Sequence, residues 1–306
     1  MRNKLLTTSQ LEQFRQNGYL LLHHILDPAE CQKFDQNIVQ PALKTFADID
    51  ETDSNTWNTD ILKSMATGDY NSDMPNILPG VMVRQPNGAD PIADEQNLDL
   101  SALHPILDQL HGGIGLNGDG TKAWEWLHEN VGWIHVRFPL EEDQCYEVNT
   151  WHVDGGHFTP HFLDSKEQSV IILPMIRPVG IGGGNTRILK KSHIYMAHAL
   201  RDSGNDGVPR EVTQNANEIA KKWPKDLIDE VAPCEAGDVL LMHPFVVHAA
   251  GRATRRHHPA LRIAFNMGVK WTRNLSIGGG DAKDQSSWLE ESIGWSLGQT
   301  LEFVDK

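Results

Sequence analysis

Apolar residues change their spacing along this chain, dividing it into a helical beginning, a long polar middle and a second half of short strands. Ser9 and Glu12 form a capping box ahead of Leu11 and Phe14, predicting a short helix that Gly18 ends. Tyr19 to Leu22 reads as a strand. Asp27, Pro28 and Glu30 supply an N-cap acid, a proline at the first helical position and a glutamate at the third, predicting a second helix that stops before Pro41. From about Thr45 to Asn97 the chain is polar and rich in Asp, Asn, Gly and Pro, with short apolar runs such as Val81-Met82-Val83. Long loops of this kind often serve as lids or binding segments.

From Val131 onward, strand-like runs alternate with glycine or proline turns: GWIHVRFP, QSVIILPMIRP, GDVLLMHPFVVH and ALRIAFNMGV. Several short strands with turn signals between them predict a β sandwich or barrel. Leu289, Ile293, Leu297 and Leu301 recur at four-residue steps between Trp288 and Phe303, an amphipathic helix expected to pack on the sheet's outer face. No repeat, low-complexity tract or linker divides the chain. A single domain over 1–306 is expected, with a helical N-terminal part of about 1–130, a β core of about 131–272 and a C-terminal helix of about 286–304.

Composition narrows the function classes. The 306 residues are 39% hydrophobic, enough for a sizeable core. Lys plus Arg number 27 against 41 Asp plus Glu, a formal charge of −14, which argues against nucleic acid and anionic membranes as partners. Cys31, Cys145 and Cys234 are far apart and never form a CxxC pair, so neither a disulfide framework nor a thiolate zinc site is suggested. With no signal-peptide core and no apolar run of about 18 residues, a cytoplasmic protein is expected, working on a small molecule as a monomer or homodimer.

The densest chemistry is "NTWHVDGGHF", residues 149–158. On an extended chain His152 and Asp154 point one way while Trp151 and Val153 point the other, so an imidazole and a carboxylate are offered together to one metal ion. A third ligand is available in "GDVLLMHPFVVHAAG", whose strand ends in His248. Two histidines and one carboxylate, leaving three positions open, suit non-heme Fe(II). His243 is the rival; by strand alternation it faces away from His248 and is read as a buried, hydrogen-bonded histidine, although Pro244 disturbs the count.

Beyond His248, Leu261, Ile263, Phe265 and Met267 form an apolar face, and Arg262, Ala264 and Asn266 form a small, polar one. An arginine pointing from that face into a cavity needs an anion. Its guanidinium can hold a carboxylate with two parallel hydrogen bonds, which a lysine cannot do.

With these pieces in order, the chain resembles the phytanoyl-CoA hydroxylase (PhyH) family of Fe(II)- and 2-oxoglutarate-dependent dioxygenases. The resemblance runs through "LEQFRQNGYLLLHHILDPAEC", the HxD of "WHVDGG", "GGGNTRILKKSH", "GDVLLMHPFVVHAAG" and an arginine 14 positions past His248 (262 − 248). It implies a fold that is mainly β with flanking helices around a double-stranded β-helix (jelly-roll, cupin-like) core. It also implies that His152, Asp154 and His248 bind and work through Fe(II), that Arg262 pairs with the distal carboxylate of 2-oxoglutarate, and that Thr186 offers that cosubstrate a hydroxyl. Arg137 is carried over as a further cosubstrate contact and His135, on the same face of GWIHVRFP, as a substrate contact. His157 and His161 follow the HxD closely enough to shape a substrate pocket, the alternative being a solvent-exposed loop with histidines.

Two departures stand out. Lys190-Lys191 replaces the family's proline and glycine before Ser192-His193, and Ala250 stands where a serine is common. The glycine run lacks the full GxGxxG spacing, so a dinucleotide site is not read there.

The implied reaction consumes O2 and 2-oxoglutarate, releases succinate and CO2, and hydroxylates a small polar metabolite, with C–N cleavage as one outcome of hydroxylation. Asp154 disfavours halogenation, because related halogenating enzymes carry a small residue in its place. The polar middle region and the histidines after the HxD point to an amino-acid-like or mycosporine-like natural product. The alternatives are a cupin-type metalloenzyme without 2-oxoglutarate, a non-catalytic jelly-roll binding protein, or an interaction protein.

Overall fold

The computed structural model describes residues 5–57, 80–83, 97–113, 121–127, 133–139, 151–155, 159–213, 216–256, 260–277 and 286–301. Helix α1 (Thr8–Asn17) begins earlier than the capping box read from the sequence. Thr7 is the N-cap and exchanges hydrogen bonds with Gln10, while Glu12 pairs with Arg15. Gly18, at φ 84°, ends the helix in the left-handed region where a side chain would be strained. Strand β1 (Tyr19–Leu22) follows, then α2 (Pro28–Phe34), capped by Asp27 as its sequence requires.

The expected stop before Pro41 does not occur. Asp35–Val39 opens into a π-helical turn, and α3 (Gln40–Ala47) continues with Pro41 in its first turn. The Gln40 N–H reaches back to the Asp35 carbonyl, and this wider turn relieves the clash and missing hydrogen bond that proline imposes on a regular helix.

Two antiparallel sheets form the jelly-roll core, mainly β with helices flanking it. The larger contains β1, β2 (Gly80–Val83), β3 (Trp124–Trp126), β4 (Trp133–Arg137), β5 (Val170–Pro174), β8 (Val239–Met242) and β10 (Arg262–Trp271), in the order β1-β8-β5-β10-β4-β2 with β3 also on β10. The smaller consists of β6 (Thr186–Leu189), β7 (Ile228–Glu230) and β9 (His248–Ala250), in the order β7-β6-β9. The further α-helices among the described residues are α4 (His104–His111), α5 (Ser192–Ser203), α6 (Arg210–Thr213), α7 (Asn217–Lys222) and α8 (Trp288–Leu297).

The run GDVLLMHPFVVH is not one strand. β8 ends at Met242, the chain turns through His243 and Pro244, and β9 begins at His248 in the other sheet. Counting alternation from His243 to His248 therefore has no physical basis, although both side chains are buried. His243 lies under α1: its backbone N–H donates to the Gly18 carbonyl, and its ring sits 4.9 Å from that of His193.

β10 separates two environments, as its alternation predicts. Ile263, Phe265, Met267, Val269 and Trp271 join Phe34, Leu43, Leu103 and Leu107 in one core cluster against the N-terminal helices. Burying each large apolar side chain there contributes roughly 1.5–3 kcal/mol. The opposite face, with Arg262, Ala264 and Asn266, turns toward the smaller sheet, where Arg262 reaches Thr186 of β6.

The C-terminal helix is a correction. α8 packs chiefly on α5 and α4 rather than on a sheet face, and it ends at Leu297. Its buried Glu290 explains the placement: the carboxylate accepts from both Arg273 terminal nitrogens and from the Ser276 and Ser287 N–H groups, fixing the helix start beside the end of β10. Among the described residues, no helix is long and apolar enough to cross a membrane.

Candidate metal centre

The site begins with backbone pairing. His152 and His248 exchange two hydrogen bonds, each N–H donating to the other's carbonyl at 2.9 Å, so they stand directly opposite each other and present their side chains on one face. Their rings lie 4.4 Å apart. Trp151 and Val153 turn the other way, into a cluster with Val247, Met196 and Leu200. Asp154 returns to the histidine side, and Gly155 follows at φ 105°, a left-handed bend available to glycine at little cost.

The three side chains converge. Asp154 Oδ1 lies 3.1 Å from His152 Nε2 and 3.6 Å from His248 Nε2, and one ligand atom from each of the three residues falls within 4.8 Å of the others. Donors held at roughly 2.1 Å from one ion on neighbouring corners of an octahedron are about 3 Å apart, so this arrangement fits a single metal ion bound on one face.

Local bonds tune the donors. His248 Nδ1 donates to the Val246 carbonyl at 3.3 Å, leaving the Nε2 lone pair for a ligand. Burial lowers the His248 imidazole to about 4, keeping it neutral. Burial pushes the Asp154 carboxyl upward, but the His248 and His152 imidazoles and the Asn266 amide outweigh that and hold it well below the usual carboxylate range.

Arg262 lies behind this group on β10, 5% exposed, with Arg137 of β4 directly opposite. Its Nη2 makes a long contact of 3.5 Å to the Thr186 hydroxyl, its Nε has no partner, and no carboxylate among the described residues pairs with it. Burial, and then the charge on Arg137, lower its guanidinium to about 10, so it remains cationic at neutral pH. A buried cation in this state would be stabilised by an anion.

Thr186 stands opposite Ala250 in the β6–β9 register, so a serine at 250 would have adjoined the same spot. His135, opposite Ala264, shares the face of Arg137 and Arg262; burial and those two charges lower it to about 3, leaving it neutral. His161 is 4% exposed, and its Nε2 donates to the backbone carbonyl of Asp154 at 3.1 Å. That contact braces the HxD segment from behind. His157 lies outside the described residues.

Asn266 is the contact that motif reading did not single out. Its amide nitrogen donates to Asp154 Oδ2 at 2.6 Å. Its parity with Arg262 was the available signal, and the closeness of β10 to the HxD segment was not.

No curated protein sequence matches this chain. Among solved structures, it is similar to a non-heme α-ketoglutarate-dependent carbocyclase, SnoK, from nogalamycin biosynthesis (16% identity, covering 88% of this chain and 86% of that one, TM-score 0.48). It is similar also to HygX from Streptomyces hygroscopicus with nickel and 2-oxoglutarate bound (15% identity, 92% and 94% covered, TM-score 0.47). A third is EvdO2 from Micromonospora carbonacea var. aurantiaca (14% identity, 92% and 98% covered, TM-score 0.46). The family model for phytanoyl-CoA dioxygenase matches residues 14–257, which include the HxD segment and His248. The chain belongs to the phytanoyl-CoA dioxygenase family, and with it to the Fe(II)- and 2-oxoglutarate-dependent enzymes.

Proposed function

We propose that this protein hydroxylates a small polar metabolite, using 2-oxoglutarate and O2, with His152, Asp154 and His248 as the Fe(II) ligands. The observation that carries the reading is the convergence of those three side chains, with Asp154 Oδ1 3.1 and 3.6 Å from the two imidazole nitrogens. Held by these three residues, iron would supply the oxidative decarboxylation of 2-oxoglutarate to succinate and CO2, coupled to insertion of the second oxygen atom into an unactivated C–H bond.

The chain's own residues hold and orient the reactants. Arg262 binds the distal carboxylate of 2-oxoglutarate through two parallel hydrogen bonds, and Thr186 adds a hydroxyl donor beside it. Arg137, opposite Arg262 in the β4–β10 register, increases the positive potential there. Neutral His135 can donate from one ring nitrogen and accept at the other, which suits it to a hydroxyl or amine on the substrate. His161 keeps the Asp154 backbone in place.

The polarity of this inner face, with His135, Arg137, Thr186 and Asn266 on it, supports an amino-acid-like or mycosporine-like substrate over an acyl chain. Oxidation beside nitrogen would then give C–N cleavage as a consequence of hydroxylation. We take residues 1–306 as one catalytic domain, since β1 and β2 from the N-terminal half complete the same sheet as β10.

The test is anaerobic addition of Fe(II) and then 2-oxoglutarate, watching for the visible charge-transfer band of the chelate. Absence of the band in folded protein rejects the iron and 2-oxoglutarate assignment. A panel of polar and lipidic compounds, scored by substrate-dependent succinate release, then tests the substrate class; turnover of acyl chains alone rejects it.

A further inference from the structure

We infer that Asn266 is a positioning residue that makes Asp154 a one-oxygen metal ligand. The inference rests on the iron site proposed above. The two oxygens of Asp154 have different surroundings: Oδ1 faces His152 Nε2 at 3.1 Å and His248 Nε2 at 3.6 Å, while Oδ2 accepts the Asn266 amide N–H at 2.6 Å. A carboxylate surrounded in this way is turned so that one oxygen points at the point where the imidazoles converge and the other is held away from it.

The amide suits this task chemically. It donates at every pH and carries no charge, so it fixes the carboxylate without neutralising it, as a lysine or arginine in the same position would. Its orientation is determined by the contact, because an ionised carboxylate accepts from the NH2 group and cannot bond to the carbonyl oxygen.

The consequence concerns the number of open positions. Two imidazoles and a single carboxylate oxygen would leave three positions on a six-coordinate ion, enough for a two-pronged 2-oxo acid and O2. If Oδ2 also bound, only two would remain. Asn266 also lies on the same strand face as Arg262, so β10 carries both the residue that orients the metal carboxylate and the residue that receives the cosubstrate's far end.

The experiment compares wild type with Asn266→Leu, which keeps the shape and removes the donor, and Asn266→Gln, which keeps an amide. Each is titrated anaerobically with Co(II), then separately with Fe(II) followed by 2-oxoglutarate, and thermal melts of the metal-free proteins serve as controls. The expected result is Co(II) binding roughly 10- to 100-fold weaker in Asn266→Leu, the range found for outer partners of metal ligands, with an altered Co(II) visible spectrum and a shifted Fe(II)–2-oxoglutarate band. Asn266→Gln is expected to fall between Asn266→Leu and wild type. Should the leucine variant not accumulate as folded protein, Asn266→Ala is read by the same measures.

Co(II) affinity within about twofold of wild type and an unchanged spectrum in the donor-less variant overturn the inference, as does a lowered melt with metal binding intact. If wild type binds Co(II) but gives no Fe(II)–2-oxoglutarate band, the proposed function fails, and the Co(II) comparison alone decides whether Asn266 positions a metal ligand.

Discussion

His152 and His248 are joined by a pair of 2.9 Å backbone hydrogen bonds, and that pairing, which does not involve their side chains, is what sets two imidazoles 4.4 Å apart. The scaffold of the site is therefore separable from its donors. His152→Ala and His248→Ala are expected to keep the fold, judged by far-UV circular dichroism, and to lose Fe(II) binding by more than the roughly 10- to 100-fold that outer partners cost. Calorimetric metal titration checks this; full affinity in either variant removes that residue from the ligand set.

Arg262 and the metal ligands should be separable in the same way. With Arg262 holding 2-oxoglutarate as proposed, Arg262→Ala would remove a charged pair of hydrogen bonds whose net contribution is about 1.5–3 kcal/mol, so the KM for 2-oxoglutarate is expected to rise roughly 10- to 100-fold while Fe(II) still binds. Arg262→Lys should recover only part of the loss, because an ammonium cannot make the two-pronged contact. Steady-state succinate formation against 2-oxoglutarate concentration measures both.

Buried neutral histidines make the fold acid-sensitive. His111 and His193 are lowered to about 4 by burial, and His243 is lowered well below its ordinary range for the same reason. Each has a folded-state value below its unfolded value of about 6.5, so the unfolded chain binds protons first as pH falls. Their contribution to stability is complete above about pH 6.5 and is lost as pH drops toward 4, at up to about 1.4 kcal/mol per pH unit for each. Urea midpoints measured from pH 7.5 to 4.5 should decline across that window, and His193→Gln should flatten the decline.

The Arg273–Glu290 pair fixes the C-terminal helix. Glu290 is 1% exposed and pairs with an arginine at 2.9 Å through one of its two contacts, so Glu290→Ala leaves Arg273 without its carboxylate. Arg273 is only partly buried and can regain water, so the loss is that of its charged hydrogen bonds, about 1.5–3 kcal/mol. A thermal melt should show that loss, and limited proteolysis should cut near α8 first; an unchanged melt would contradict the pairing's role.

Much of this protein is legible in its sequence alone. The parity of β10 separates a core face from a site face, and Asp27 and Pro28 start α2 where their capping chemistry requires, because these signals act over a few residues along one element. The shared side of His152 and Asp154 is likewise a property of extended chain. Spacing and residue type were enough to suggest a metal site and an arginine behind it.

Other features depended on contacts distant in sequence. Local rules cannot foresee that the turn at His243 and Pro244 sends the chain from one sheet to the other, since sheet membership follows from pairing partners. Pro41 reads as a helix stop because its clash is local, while the π turn that absorbs it is supported by packing of the surrounding helices. Helix α8 shows an apolar stripe in sequence but no indication of what it covers; Arg273 and helices α4 and α5 decided that. The hydrogen bond from Asn266 to Asp154 joins residues 112 positions apart. Sequence alone determined which donors exist and which face they share within an element; tertiary structure decided which donors meet, because that depends on how separate elements pack and pair.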